Sequence, residues 1–442
     1  MGRAYTMLLL LAATLCHAQE DTAKVNQLTV DLQVVAHGEA CIGGLPRADK
    51  DKTPSEKKSF FLFGRNRFIV DYQRPGLQAH AVIQNKAVWG MSGNQSLNLY
   101  EGWVKFSHKS GLFAQLGRIA LAYDDERIIG TNDFATASLS HDVVRLGYEG
   151  HGHQVHTILA YNQTGDNVYK NTYYSSGAQP YKTMQTLWYH YDLPHFPLGV
   201  SLLFMNIGMQ AGEQSDSYNP PKTEWHQLFG GYAKYDGPLV TAEAAYYRQT
   251  GNMVSKYMQR MPIRAWMAAA KVVVKPQDYY GLFVGYDHLS GDDYVPVIYS
   301  GSVGLVRHET LKGFTPMYGS RSSFYGILDY FYASAQTNGF TPGLQNAYLG
   351  GYVKPVTGLN IKAAYHYLAV ATDLTDLNRT LGHSIELEAS YRFSKDVALS
   401  AGYTFMVGTE TMDRLKQQEG DKYARWGWFS LAVSPRLFST KW

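Results

Sequence analysis

Charged residues alternate with apolar residues in the stretch FFLFGRNRFIVDYQ. Arg65, Arg67 and Asp71 share one face of an extended segment, while Phe68 and Val70 share the other. Guanidinium groups and carboxylates in such rows can bind charged solutes or pair with one another. If the apolar face meets lipid, the charges must point inward, because a Lys or Arg facing lipid costs about 2–4 kcal/mol at mid-bilayer.

The same alternation places further ionisable residues on the expected inner face of other segments. One interpretation is a set of pairs that brace neighbouring strands of a water-filled barrel. The other is an arginine-rich ring that selects anions. Both remain open from these residues alone, which are Arg145, Glu243, Lys362, His366, Glu386, Glu388 and Arg392.

Signatures of enzymes and of metal sites are missing. The chain has no G-x-S-x-G, H-E-x-x-H, C-x-x-C or P-loop motif. Its histidines are scattered, and the GDD stretch at 291–293 is interpreted as a solvated turn in preference to a cation site. We therefore expect no catalytic residues, no metal and no cofactor. A net charge of +3 without a basic cluster also argues against a nucleic-acid partner.

Strands must position these charges, because apolar and polar residues alternate in runs of about ten residues along most of the chain. Ile385 to Phe405 gives two such runs around a tight turn. Short connections alternate with long ones, which is typical of a barrel with short periplasmic turns and long extracellular loops. Nineteen candidate strands can be counted. Because the number must be even, Arg321 to Ser334 is assigned to a large loop at 289–342. The prediction is an all-β transmembrane antiparallel barrel of about eighteen strands.

The N-terminus reads as a signal peptide at residues 1–18, with an apolar run after Arg3 and a small residue at Ala18. A lipoprotein anchored at Cys16 is the weaker alternative. Residues 19–442 are then one barrel domain, with Cys41 unable to form an internal disulfide. The expected location is the outer membrane of a Gram-negative bacterium, reached by secretion through the inner membrane.

Two stretches resemble a known family. LGRIALAYDDERIIGTNDF (residues 116–134) resembles a G-R-x-x-x-x-Y-x-D-x-R-L-I-G motif, and FYGILDYFYAS with the strands that follow it resembles the C-terminal region of the same family. This family is the alginate-export type of outer-membrane porin. The resemblance implies an eighteen-stranded barrel with an arginine-rich constriction that selects a polyuronate. By motif position, Arg118 and Arg127 would belong to it, with Asp125 as a neighbouring acid. The alternative role for these two arginines is an ion-pair network that braces the loop base.

The predicted function is a porin that passes polar or anionic solutes. Its most specific form is export or uptake of an acidic oligosaccharide or polysaccharide such as alginate. The alternative is a structural or adhesive barrel with a plugged lumen and partner-binding loops. Expected partners are outer-membrane lipid and small solutes or oligosaccharide. The glycine- and aromatic-rich segment 289–342 is predicted to fold into the barrel mouth and to narrow the pore near Arg118 and Arg127.

Overall fold

The computed structural model describes the greater part of the chain, and all that follows concerns those residues. They are 25–42, 58–90, 96–134, 138–162, 181–211, 222–254, 260–292, 298–299, 302–303, 310–320, 323–326, 341–374, 377–416 and 423–442. The predicted signal peptide at residues 1–18 lies outside them.

Strands account for most of the described chain. They are β1 (Gln27–Ile42), β2 (Lys58–Arg74), β3 (Leu77–Val88), β4 (Ser96–Ser107), β5 (Leu112–Ile119), β6 (His141–Gly150), β7 (His153–Tyr161), β8 (Thr183–Asp192), β9 (Leu198–Ala211), β10 (Lys222–Asp236), β11 (Val240–Val254), β12 (Arg260–Gln277), β13 (Tyr280–Leu289), β14 (Ile298–Tyr299), β15 (Ser302–Val303), β16 (Leu344–Val353), β17 (Leu359–Ala369), β18 (Thr380–Arg392), β19 (Val397–Gly408), β20 (Tyr423–Val433) and β21 (Arg436–Lys441).

The sheet closes on itself. Each large strand pairs antiparallel with its sequence neighbour, and β1 pairs with β2 on one side and with β20 and β21 on the other. The closed sheet contains nineteen segments. Pro435, which has no N–H for the ladder, separates β20 from β21. Counted as one interrupted strand, these two bring the barrel to eighteen strands, which confirms the predicted fold. The described part of the rejected candidate, residues 323–326, is not in a strand.

The two rims differ in their connections. One rim carries turns of two to five residues. In one of them His151 and Gly152 both have positive φ, 54° and 80°, as a two-residue type I′ turn requires. The other rim carries mostly longer connections, of which 290–343 is the longest and contains the small hairpin of β14 and β15.

The outer surface is an apolar belt. Ile385 and Leu387 are 50% and 49% exposed there, whereas Glu386 between them is 4% exposed and faces the lumen. A lipid-facing belt around a closed ladder satisfies the backbone internally, as a membrane-spanning sheet must. A short helix, Glu410–Lys416, lies between β19 and β20. Among the described residues, no helix is long and apolar enough to span a membrane.

Candidate functional site in the barrel lumen

The connection between β5 and β6 enters the barrel, and we call its residues 120–134 the lumen loop. Its side chains contact inward-facing residues from strands on several sides. Tyr123 bonds to His156 of β7, and Asp124 accepts a hydrogen bond from Trp188 Nε1 of β8 at 3.0 Å. Burial raises the pKa of Asp124 above its ordinary value. The loop therefore occupies the interior of the barrel.

The lumen loop is held in a locally strained conformation. Asp124, Glu126 and Asn132 have positive φ values of 55°, 62° and 49°. The Glu126 carboxylate compensates by accepting hydrogen bonds from the Thr131 backbone N–H at 2.9 Å and from Ser320 Oγ at 2.6 Å. These bonds fix the fold of the loop and connect it to a second segment.

That second segment, residues 310–320 and 323–326, is called the anchor segment. Tyr318 forms a parallel bridge with Ile129 of the lumen loop, and its carbonyl accepts a hydrogen bond from Gly130 N. Phe314 and Tyr318 are fully buried. The anchor segment, which is part of the predicted 289–342 loop, thus lies inside the barrel beside the lumen loop. The residues of that loop that lie outside the described ones are 293–297, 300–301, 304–309, 321–322 and 327–340.

Asp292 holds the anchor segment in place. Its carboxylate accepts hydrogen bonds from the backbone N–H groups of Lys312, Gly313 and Thr341 at 2.6, 2.9 and 3.0 Å. Asp292 is only 1% exposed. The solvated-turn interpretation of the GDD stretch is therefore wrong for Asp292, because three backbone donors replace its hydration.

Arg127 of the lumen loop is buried against one side of the barrel. Its guanidinium pairs with Asp287 of β13 at 3.0 Å and with Asp125 at 3.1 Å, and donates to Tyr325 Oη at 3.2 Å. It also lies 4.2 Å above the Phe324 ring. Burial alone would lower the pKa of Arg127, but the charge of Asp287, with Tyr325 and Asp125, raises it well above its ordinary value. Arg127 is permanently charged and braced by its neighbours.

Asp133, six residues later in the lumen loop, lies against a basic surface of the barrel wall. Its carboxylate pairs with Arg65 at 3.1 Å and with Arg67 at 2.5 Å. Burial opposes its ionisation, but the hydrogen bond from Arg67 and the charge of Arg65 hold the pKa of Asp133 below its ordinary value. Lys86 lies opposite Arg65 in the β2–β3 register. We call Arg65, Arg67 and Lys86 the arginine wall.

A cavity of about 420 Å³ lies on the Arg127 side. The carboxylates of β11, β13 and β18 that line it are called the acidic wall, namely Glu243, Asp287, Glu386 and Glu388. Asp125, Arg127, Lys271 and Lys362 complete its charged lining. The cavity is bounded by charges of both signs, with a surplus of carboxylates.

Other predicted site residues are divided between this cavity and other parts of the lumen. Lys362 pairs with Glu388 at 2.7 Å, and His366 lies 3.6 Å from Glu386. Arg145 binds Gln115 and Tyr123 under the lumen loop. Two further predicted residues, Asp71 and Arg392, do not line the cavity.

These two residues occupy different environments. Asp71 bonds to His80 at 2.6 Å. Arg392 is exposed at the last residue of β18, beside a short turn.

Arg118 is a correction to the sequence prediction. Along β5, Phe113 and Gln115 are buried inward, whereas Leu112 and Leu116 are exposed outward, and Arg118 shares their parity. It pairs with outward-facing Asp142 at 2.5 Å. Arg118 therefore lies on the outer surface of the barrel. The prediction for Arg118 was wrong because it rested on motif position, whereas strand alternation places this side chain outward.

The sequence reasoning missed four charged residues of the site, one of which is Lys86 of the arginine wall. Asp287 and Lys271 could have been found from alternation, because their neighbours Tyr286 and Val272 are exposed on the outer face. Asp133 carries no such signal, since it lies in a loop whose path depends on tertiary contacts. Among the described residues, no group of three or more His, Cys, Asp or Glu is placed to hold a metal ion.

Comparison with solved structures identifies the fold. OprD from Pseudomonas aeruginosa matches with a TM-score of 0.59 at 12% identity, covering 93% of this chain and 94% of that chain. OccK9 (OpdG) from the same organism matches with a TM-score of 0.61 at 12% identity, covering 93% and 98%. OccK2 (OpdF) in complex with glucuronate matches with a TM-score of 0.58 at 11% identity, covering 93% and 98%.

At such low identity these neighbours, among them the outer membrane protein OprD, show the shared barrel fold alone. No protein-family model matches the sequence. No curated protein sequence matches it either. The resemblance to the alginate-export family is therefore not shown.

Proposed function

We propose that this chain is an outer-membrane channel for small polar solutes that carry a carboxylate. The fold indicates the outer membrane of a Gram-negative bacterium. The observation that carries the proposal is the charged cavity of about 420 Å³ beside the lumen loop. An eighteen-stranded barrel is wide enough for an aqueous channel unless loops narrow it. Here the lumen loop and the anchor segment supply that narrowing.

The charges around the lumen favour a solute with two different ends. The cavity lining has five carboxylates (Asp125 and the four residues of the acidic wall) against three cationic groups, Arg127, Lys271 and Lys362. This surplus attracts ammonium groups and hydroxyl donors. The guanidinium groups of the arginine wall suit a carboxylate, which would share them with Asp133. A sugar acid or an amino acid presents both kinds of group.

A polyanionic chain fits this lining poorly. Each successive carboxylate of such a polymer would pass the acidic wall and be repelled. OccK2 has been crystallised with glucuronate, a single sugar acid. Export of an acidic polysaccharide such as alginate thus gains no support, and the proposed solute is a monomer. A plugged adhesive barrel, the alternative function, is not favoured by the comparisons.

Liposome swelling tests the proposal. Vesicles containing the folded protein are diluted into isotonic glucose, glucuronate, arginine or an acidic hexasaccharide. We expect the three small solutes to enter and the hexasaccharide to be excluded. Glu243→Gln changes a residue of the cavity lining that has no ion pair among the described residues, and it should slow arginine entry relative to glucuronate. No swelling with any small solute, from correctly folded protein, would contradict the channel and favour the plugged barrel.

A further inference from the structure

A row of polar side chains crosses the outer face of the barrel. Asn206 of β9 donates to Gln185 of β8 at 2.9 Å, and Gln227 of β10 donates to Asn206 at 2.8 Å. Gln227 is in register with Thr250 of β11, and Thr250 with Arg264 of β12. We call these five residues the polar row.

Strand alternation shows that the polar row faces outward. The residues next to it along each strand are buried inward, among them Met184, Met205, Leu228, Gln249 and Ala265, all at 1% exposure or less. Residues two positions away are exposed on the outer face, such as Leu187, Phe204 and Phe229 at 47%, 45% and 41%. The polar row therefore interrupts an apolar surface.

Two arginines on this surface have no counter-charge among the described residues. Arg264 belongs to the row, and Arg248 lies next to it on β11. Both are exposed, and within the described part of the chain neither side chain has an ion pair or hydrogen bond. Two outward arginines elsewhere differ, because Arg118 pairs with Asp142 and Arg425 lies over the Phe405 ring.

The height of these arginines fits a membrane interface. At about 3.3 Å per residue and a tilt of ~40°, Arg248 is roughly 20 Å above the short-turn rim, eight residues after Val240. Arg264 is in register with Thr250, ten residues after Val240, and so is at about 25 Å. That height is near the top of an apolar band of about 25 Å. Phe229 and Trp266 flank Arg248 in register, as expected of an interfacial aromatic belt.

We propose that this surface binds the phosphate-bearing headgroup of a lipid in the leaflet next to the long-loop rim. Charge complementarity supports this occupant, since two unpaired guanidinium groups at headgroup height can each bind a phosphate with two parallel hydrogen bonds. The amides of the polar row supply donors and acceptors for headgroup hydroxyls. The binding surface is separate from the channel, so it does not depend on the proposed solute.

The test compares vesicle compositions and matched variants. Wild type, Arg248→Gln/Arg264→Gln, Arg248→Lys/Arg264→Lys and the control Arg425→Gln are folded into phosphatidylcholine vesicles. A minor fraction of a diphosphorylated glucosamine-disaccharide lipid, or of its dephosphorylated form, is added. The midpoint of the heat-modifiable gel transition reports binding, because a ligand that binds only the folded state raises it.

We expect the phosphorylated lipid to raise the midpoint for wild type and Arg425→Gln and to leave the double Gln variant unchanged, with the Lys variant intermediate. Native mass spectrometry should show at least about tenfold weaker lipid retention for the double Gln variant. An equal rise in the double Gln variant, or with the dephosphorylated lipid, would overturn the proposal. So would an equal rise from inorganic phosphate. A loss of oligomer mass in the double Gln variant without any lipid dependence would assign the surface to a second copy instead.

Discussion

The two walls of the lumen bind the lumen loop with charges of opposite sign. On the arginine wall, Arg65 and Arg67 converge on one half-exposed carboxylate, Asp133. On the acidic wall, Asp287 pairs with one buried guanidinium, Arg127, which also pairs with Asp125 of its own loop. Both counter-charges come from the lumen loop. The loop places an anion against the basic surface and a cation against the acidic one, and opposite charges thereby hold it across the lumen.

The two contacts should differ in strength. The Arg127–Asp287 pair is 6% and 3% exposed, whereas the Asp133 side chain is 44% exposed beside Arg65 and Arg67 at 10% and 8%. Removing one partner from a buried pair leaves an uncompensated charge, while water at one side of a half-exposed pair reduces that cost. Loss of Arg127 should therefore release the loop, and loss of Asp133 should mainly change the charge of the pore.

The largest effect is predicted for Arg127→Gln. It leaves the carboxylates of Asp287 and Asp125 buried without a cation, at a cost of about 3–5 kcal/mol. Hydrogen exchange measured by mass spectrometry should show loss of protection at Gly130 and Asn132, whose N–H groups bond to the anchor segment.

The control for this prediction is Arg127→Gln/Asp287→Asn, which removes the buried anion as well. It should regain part of the protection. Full protection in the single variant would mean that the buried pair does not hold the loop.

The next effect tests the strand alternation on which both walls depend. Leu387→Arg puts a charge on the lipid face and should cost about 2–4 kcal/mol near the bilayer midplane. Its neighbour Glu388→Arg faces the lumen, so it should assemble normally and alter ion selectivity. The fraction of folded barrel on a heat-modifiable gel measures both. Equal assembly of the two variants would contradict the assigned faces.

A smaller effect is predicted for Asp133→Asn. Arg65 and Arg67, whose side chains are only 10% and 8% exposed, lose their carboxylate and become more available to anions. Water reaches this pair through the half-exposed Asp133 side, so the loss of stability should be smaller than for Arg127→Gln. The reversal potential in a planar bilayer with a KCl gradient should shift toward anions. Asp396→Asn in a short turn is the control and should leave the potential unchanged. No shift for Asp133→Asn would show that the arginine wall lies outside the ion path.

The smallest effect is a pH dependence of the same contact. Because the pKa of Asp133 is lowered in the folded state, Asp133 is ionised and its ion pairs are intact at any pH above the ordinary Asp pKa of about 3.9. They are lost only as the pH falls through the lowered pKa. The difference in anion preference between wild type and Asp133→Asn should therefore stay constant from neutral pH to about pH 5 and vanish in stronger acid. A difference that disappears near pH 6 would contradict the lowered pKa.

Strand alternation predicted most of the fold and those inward site residues whose strands were recognised as alternating. The lipid-facing Leu387 and the inward Glu386 and Glu388 follow from a period of two, which lipid on one side and water on the other impose. The same period would have placed Arg118 outside and Asp287 inside. The position of Asp133 could not be predicted, because it depends on long-range contacts of a strained loop. The buried role of Asp292 depends equally on distant backbone donors.

We propose that the lumen loop narrows the pore because opposite charges hold it between the two walls. The most direct test is the single-channel conductance of Arg127→Gln/Asp133→Asn beside wild type, with folding of both barrels verified by gel mobility. We expect discrete steps for wild type and larger steps for the variant, since release of the loop widens the lumen. Identical conductance, or no steps from correctly inserted wild-type protein, would contradict it.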